Sequence, residues 1–381
     1  MRRMSAIQAP AKYVQGRGAL LRFYDELKHL GDRWLFICSG SGYKACHDQL
    51  EQSFEAKGSG CYRRYEVFGG ACSSSEIEKM CAIVQSDRID VVAAVGGGAA
   101  VDTGKAVAYD THARCVILPT VAATDAPCTG LSVIYSEDGS IEGYRFYPTG
   151  PDAVLVDSQV IADAPVRFLI AGIGDALSTY FEGRSCLRTE SPSLARRGIT
   201  RTGMSIAELA YETLQTYAVQ AVAACREHVV TPALDAVIEA AVYMSGVGTN
   251  NTGCAAAHSF YNGLKAAGGR HASHGDCVAF GVLVQLMLEG AADEFEEVRA
   301  FCESVGLPIT LEEIGVTDPE CVQRIAELAC AKDEPAHHLA GDVTPEAFRD
   351  AIIAADALGR MRLPIFSLPA IRGKHRPAAK K

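Results

Sequence analysis

Two histidines and one aspartate in this chain of 381 residues stand in distant segments, Asp175 and His258 among small or apolar side chains and His274 in a more polar run. Asp175 follows Ala171-Gly172-Ile173-Gly174 and precedes Ala176-Leu177-Ser178-Thr179-Tyr180-Phe181-Glu182, at the start of an apolar helical run. His258 lies in Ala255-Ala256-Ala257-His258-Ser259-Phe260-Tyr261-Asn262-Gly263, and His274 in Arg270-His271-Ala272-Ser273-His274-Gly275. Singly, an acid there serves the helix dipole, and a histidine is more often a satisfied core or surface residue. As a set, two imidazoles and a carboxylate match a catalytic Zn²⁺ site that keeps one position open for water or substrate. Such an ion polarises a hydroxyl and lowers its pKa. The three residues come from distant segments, so spacing alone leaves both readings open.

A second motif concerns phosphate. Val91 to Val95 runs into Gly96-Gly97-Gly98-Ala99-Ala100-Val101-Asp102-Thr103-Gly104-Lys105, a strand, a glycine turn and a helix. Glycines let backbone N–H groups approach a pyrophosphate, and the helix N-terminus adds the positive end of its dipole. The third glycine of the usual dinucleotide fingerprint is missing. A tight turn without a ligand therefore has equal weight.

The elements that would position these residues fall into two halves. Trp34–Cys38, Ile89–Val95, Cys115–Leu118 and Ala153–Asp157 are short, continuous apolar runs, which implies a mostly parallel sheet covered on both faces. Ser73 to Gln85 reads as a helix, with Ser-x-x-Glu capping pairs at Ser73/Glu76 and Ser75/Glu78. Two β-rich runs between Leu131 and Tyr147 flank Glu137-Asp138-Gly139-Ser140, a β-hairpin inserted at the edge of the α/β unit. Beyond residue 161 the chain becomes Ala-rich with a period near 3.6, and helices are expected over Ser193–Tyr217, Pro232–Ser245, Cys254–Lys265 and Cys277–Glu289. The expected architecture is an α/β dinucleotide-binding domain over 1–161 and an all-helical domain over 162–381, with a ligand cleft between them.

Composition excludes several classes of function. The net charge is -10, from 46 acidic and 36 basic residues, and no basic stripe accompanies aromatic positions as nucleic-acid binding requires. No apolar run reaches membrane-spanning length, and the first residues lack a signal-peptide core. A cytoplasmic protein with reduced thiols is expected. Its 14 cysteines include no Cys-x-x-Cys pair and read as small buried hydrophobes. The tail from Arg372 to Lys381 reads as a solvated terminus.

Five segments, in this order, give the chain a family resemblance: Ala11–Gly16; Gly96–Lys105; Pro119–Cys128 with Leu131–Tyr135; Ala171–Glu182; and Ala255–Gly263 followed by His274-Gly275. Over nearly its whole length the chain resembles bacterial glycerol dehydrogenases of the iron-containing alcohol dehydrogenase superfamily. The resemblance implies hydride transfer between glycerol, or a similar vicinal diol, and NAD or NADP, giving dihydroxyacetone or the matching hydroxyketone. It implies a metal, Zn²⁺ or another divalent ion, on Asp175, His258 and His274, and places Asp125 beside the substrate as a fourth catalytic residue. It places the cofactor along Ser39, Gly40, Ser41, Gly96, Gly97, Gly98, Asp102, Thr120, Thr124, Ser132 and Tyr135. It also implies a homo-oligomer. His271, three residues before His274, is expected outside the metal's ligand set.

Three departures from the family pattern bear on function. Ala99-Ala100 stands where the glycine turn usually continues with Lys-Thr, which removes a cation and a hydroxyl near the diphosphate. Phe260 and Tyr261 replace a smaller aliphatic residue and a histidine. Ser39 replaces the acid that accepts from the ribose hydroxyls of NAD, which points to use of NADP. Two alternatives remain: a hydroxycarboxylate or other secondary-alcohol dehydrogenase, needing a cation such as Arg145, Lys265 or Arg270, and a non-catalytic nucleotide-binding protein.

Overall fold

The computed structural model describes residues 3–57, 60–136, 139–268 and 272–361. The expected basic tail, the hairpin residues Glu137 and Asp138, Arg270 and His271 lie outside the described residues. The first half runs β1 (Tyr13–Gly16), α1 (Phe23–Leu27), β2 (Arg33–Cys38), α2 (Gly40–Glu55), β3 (Tyr62–Val67), α3 (Ser74–Ser86), β4 (Val91–Gly96), α4 (Gly98–Thr111), β5 (Arg114–Pro119), β6 (Leu131–Tyr135), β7 (Ile141–Phe146) and β8 (Ala153–Asp157). Six strands form one sheet, ordered β1-β8-β5-β4-β2-β3, with every pairing parallel.

The four apolar runs foreseen in the sequence are the four inner strands, where continuous hydrophobicity is needed because helices cover both faces. The two edge strands carry weaker signals and were not foreseen. β1 has only four residues, and β3 reads Tyr-Arg-Arg-Tyr-Glu-Val, a charged edge of the kind that discourages further pairing. From β2 the chain passes outward to β3 and returns to the other side of β2 as β4. That reversal opens a crevice at the carboxyl ends of β2 and β4, where ligands of open α/β sheets bind.

The hairpin β6–β7 is a separate antiparallel ribbon. It sits on α4: the Ser132 hydroxyl donates to the Asp102 carbonyl at 2.9 Å, and Val133 N–H donates to Asp102 Oδ2 at 3.2 Å.

After β8 the described chain is helical: α5 (Ser158–Asp163), α6 (Arg167–Arg188), α7 (Arg201–Arg226), α8 (Pro232–Glu239), α9 (Ser245–Thr252), α10 (Ala256–Ala267), α11 (His274–Leu288), α12 (Ala292–Val305), α13 (Pro319–Ala329) and α14 (Pro345–Met361). Three expected helices are corrected. The helix expected from Ser193 begins only at Arg201, because the Thr200 side chain caps it by accepting from Gly203 N–H and the preceding loop bends through Arg196 at φ 57°. The helix expected over Pro232–Ser245 is interrupted by a π-turn at Ala240–Met244. The helix expected from Cys277 starts at His274, where Ser273 and Asp276 form a reciprocal capping box. No described helix is long and apolar enough to cross a membrane. All 14 cysteines are described and unpaired, nine of them buried.

Candidate metal and cofactor site

Asp175 lies in the third turn of α6, His258 in the first turn of α10, and His274 opens α11. Small residues let these helices approach. A side chain on Gly174 or Gly172 of α6 would collide with the Gly275 or Ala122 carbonyl, and one on Gly275 with the Ala171 carbonyl. Backbone-to-backbone packing therefore brings Asp175 and His274 together.

Asp175 Oδ1 stands 3.2 Å from His274 Nε2 and 3.9 Å from His258 Nε2. Asp175 is 1% exposed, and its Oδ2 accepts from Asp125 N–H at 3.1 Å. Its Oδ1 is buried without a hydrogen-bond partner among the described residues, although such an atom is costly to leave unmatched. An unsatisfied carboxylate oxygen facing two imidazole nitrogens is what a divalent cation's ligand set looks like without the ion, so the residues fit the metal. Burial opposes charge on Asp175, but His274 and His258 hold it below the usual carboxylate range. Burial likewise opposes a charged His258, yet Cys254 and Glu182 beside it raise its proton affinity well above the ordinary.

Asp125 follows β5 and meets this cluster from the α/β side. Ser245 Oγ donates to its Oδ2 at 3.3 Å. Thr179 Oγ1 lies 2.9 Å from Ser245 Oγ and 3.0 Å from Thr249 Oγ1, so three buried hydroxyls back the carboxyl group. Burial and the neighbouring Asp175 push Asp125 up to about 6. Ser245 begins α9 directly after the π-turn, a feature common at functional sites.

A cleft of about 890 Å³ joins these groups to the sheet, lined by Gly98, Asp102, Thr124, Asp125, Tyr135, His258 and His274 among others. It falls in the size range of small-molecule sites. Of the other expected cofactor residues, Ser39, Gly96 and Thr120 cluster at the carboxyl ends of β2, β4 and β5. A side chain on Gly96 would meet Ser39 Oγ at 2.9 Å, and Thr120 N–H donates to the Gly96 carbonyl at 3.1 Å. Gly97 approaches Val121 and Gly98 approaches Thr124. Gly40 and Ser41 open α2, where Ser39 is the N-cap and its Oγ accepts from Gly42 N–H at 3.0 Å. The Ser132 hydroxyl is fully buried between the Asp102 carbonyl and Tyr147, so it braces the hairpin. Asp102 pairs with buried Lys105 at 3.0 Å; Lys105 in turn donates to the Ala126 and Leu131 carbonyls.

Several neighbours of the site were not singled out from sequence. Glu182 accepts from His258 Nδ1 at 2.6 Å. Tyr261, marked in the sequence as standing where relatives carry a histidine, places its ring edge-on to His274, with centroids 4.3 Å apart. The signal for Glu182 was its place seven residues after Asp175, two turns along one helix face. Nothing in the sequence marks Thr179, Ser245 or Thr249.

Residues 10–158 match the family model described as iron-containing alcohol dehydrogenase. The chain is 43% identical to a glycerol dehydrogenase of Pseudomonas putida, over 93% of this chain and 98% of that protein. It is also 43% identical to one of Thermotoga maritima, over 93% and 97%. The crystal structure of glycerol dehydrogenase from Schizosaccharomyces pombe superposes with a TM-score of 0.89 at 35% identity, covering 95% of this chain and 93% of that one. The chain therefore belongs to the glycerol dehydrogenases of the iron-containing alcohol dehydrogenase family, and is a metal-dependent oxidoreductase of the NAD-linked type.

Proposed function

We propose that the chain oxidises glycerol or a similar vicinal diol to the matching hydroxyketone, with residues 1–161 holding NAD(P) and residues 162–381 holding a zinc ion and the substrate. The observation that carries this is the buried Asp175 Oδ1, without a hydrogen-bond partner among the described residues, facing His258 and His274. A divalent ion held by these three residues supplies Lewis-acid stabilisation of the alkoxide form of a substrate hydroxyl. NAD(P), held along the turn at Gly96–Gly98, would supply the hydride acceptor for the substrate carbon, once the hydroxyl proton has left to solvent. The chain's own contribution is orientation. Asp125 accepts from the second hydroxyl of a diol, the hydroxyls of Ser245, Thr179 and Thr249 fix that carboxylate, and the turn at Gly96–Gly98 with the N-terminus of α4 receives the diphosphate.

The cleft's charge favours a neutral polyol. Asp102, Asp125, Asp333 and Glu334 line it, and among the described residues Arg196 is the one lysine or arginine in its lining. A hydroxycarboxylate needs a cation. Arg145 is bound to Asp110 at 2.8 Å, Lys265 is exposed on α10, and Arg196 lies over the Phe146 ring.

Two finer readings follow. At the carboxyl end of β2, Ser39 and Ser41 offer hydroxyls 3.4 Å apart at the start of α2, and no acid stands there to repel a 2′-phosphate, which supports use of NADP as well as NAD. Leu209, Tyr217 and Val219 stand exposed on α7, apolar surface of the kind that copies of one chain bury on forming a homo-oligomer. Light scattering should give a multiple of 40.5 kDa.

The test is a metal-stripped enzyme followed by nicotinamide absorbance, with glycerol, 1,2-propanediol and 2-hydroxy acids as substrates. Activity should vanish with chelator, return with Zn²⁺, and favour the diols. Full activity without metal, or preference for a 2-hydroxy acid, would overturn the reading.

A further inference from the structure

α10 starts without a cap of its own, because Ala255, at its N-cap position, has no side chain that can accept. The free amides of a helix start need partners, and here other helices supply them. Glu182 Oε1 accepts from Ala255 N–H at 2.7 Å and from His258 N–H at 2.9 Å. Gln285 Oε1, from α11, accepts from Ala257 N–H at 3.3 Å. Glu182 Oε2 accepts from His258 Nδ1 at 2.6 Å. Glu182 has no solvent exposure, and His258 is its one ion-pair partner among the described residues. A carboxylate so placed persists because three N–H groups converge on it.

A carboxylate can only accept, so His258 must present Nδ1–H to it. In the neutral ring that leaves the lone pair on Nε2, the nitrogen 3.9 Å from Asp175 Oδ1. One face of α6 thus carries both a metal-ligating acid and, two turns on, the acid that orients another ligand. We propose that Glu182 is a positioning residue for the metal site, holding His258 in its Nδ1–H form and at the ring angle that keeps Nε2 free to coordinate. The proposal rests on the metal-site reading above.

Glu182→Gln separates this role from helix capping. The amide oxygen can still accept from Ala255 and His258, but the amide nitrogen now presents a donor to Nδ1 and favours the other ring form. Gln285→Ala removes the neighbouring borrowed cap without touching the His258 side chain. The full-length wild type and both variants are dialysed against Zn²⁺ buffered by a competing chelator. Imidazole nitrogen NMR spectra of the metal-free proteins, taken at a pH high enough to leave His258 neutral, and their melting temperatures are recorded alongside.

The wild type should show the Nδ1–H form at His258. Glu182→Gln should bind Zn²⁺ about 10–100-fold more weakly, with the Nε2–H form and a nearly unchanged melting temperature. Gln285→Ala should keep wild-type affinity. Wild-type affinity in Glu182→Gln, equal weakening in Gln285→Ala, or an Nε2–H form in the wild type would each overturn the proposal, the last even if the variant fails to fold. A wild type that binds no Zn²⁺ would instead overturn the metal-site reading itself.

Discussion

Asp125 is gripped at both ends, its backbone N–H by Asp175 and its carboxyl group by Ser245. The residue thus links the metal cluster to the place where a second substrate hydroxyl would sit. Asp125→Ala should lower kcat/KM for glycerol more than for a mono-alcohol, by about 1.5–3 kcal/mol of transition-state stabilisation, the usual worth of a hydrogen bond to a charged group. Equal losses for both substrates would mean that Asp125 serves only the cluster. At the other end of the cleft, Ser39→Asp should restore an acid beside the ribose and shift the ratio of kcat/KM values toward NAD. An unchanged ratio would leave Ser39 as a helix cap and nothing more. Asp175 and His258 were visible as polar breaks in apolar stretches, but the set Asp175, His258 and His274 was legible only through the family resemblance. Their convergence was not legible, because ring orientation and distance depend on packing between segments far apart in the chain. The hydroxyls behind Asp125 were illegible altogether: Ser and Thr on a helix carry no mark of what they face.

At the scale of elements, the crossing of α6 and α11 is set by glycines whose missing side chains let one backbone touch the other. Gly275→Ala should destabilise the protein by about 1–3 kcal/mol, the range for overpacking a close contact, measured by urea unfolding. It should also weaken metal binding, because the adjacent His274 would be pushed away from Asp175. Loss of stability with unchanged metal affinity would show that the crossing adjusts without moving the ligand. Periodicity located α7, α8, α10 and α11 and missed their ends, and it placed none of α12, α13 and α14. Caps such as Thr200 and Ser273, which decide where a helix begins, are single polar residues among many. The π-turn before Ser245 was invisible for a related reason: Ala-rich sequence gives one extra residue per turn no signature. The inner strands were legible by their unbroken hydrophobicity, whereas β1 and β3 were lost because an edge strand has one neighbour and tolerates charge.

Across the whole molecule, the N-terminal segment ties the two halves together. Gln8 N–H donates to Asn251 Oδ1 at 2.7 Å, its carbonyl accepts from Asn251 Nδ2 at 2.7 Å, and its side chain bonds the Pro148 carbonyl and Asn250 Nδ2. Gln8→Ala removes the last two bonds and should cost about 1–3 kcal/mol, at about 0.5–1.5 kcal/mol each. A melting temperature unchanged by the substitution would show that the two halves hold together without this strap. The arrangement also sets an order of assembly on the ribosome. Gln8 is 243 residues from its partner Asn251, a delay of roughly 12–50 s at typical rates of synthesis. β1 leaves the ribosome first, yet it pairs with β8, the last strand of its sheet to be made. Until β8 appears, the growing chain carries an apolar parallel sheet with an open edge along β5, a template to which other unfinished chains could pair during translation.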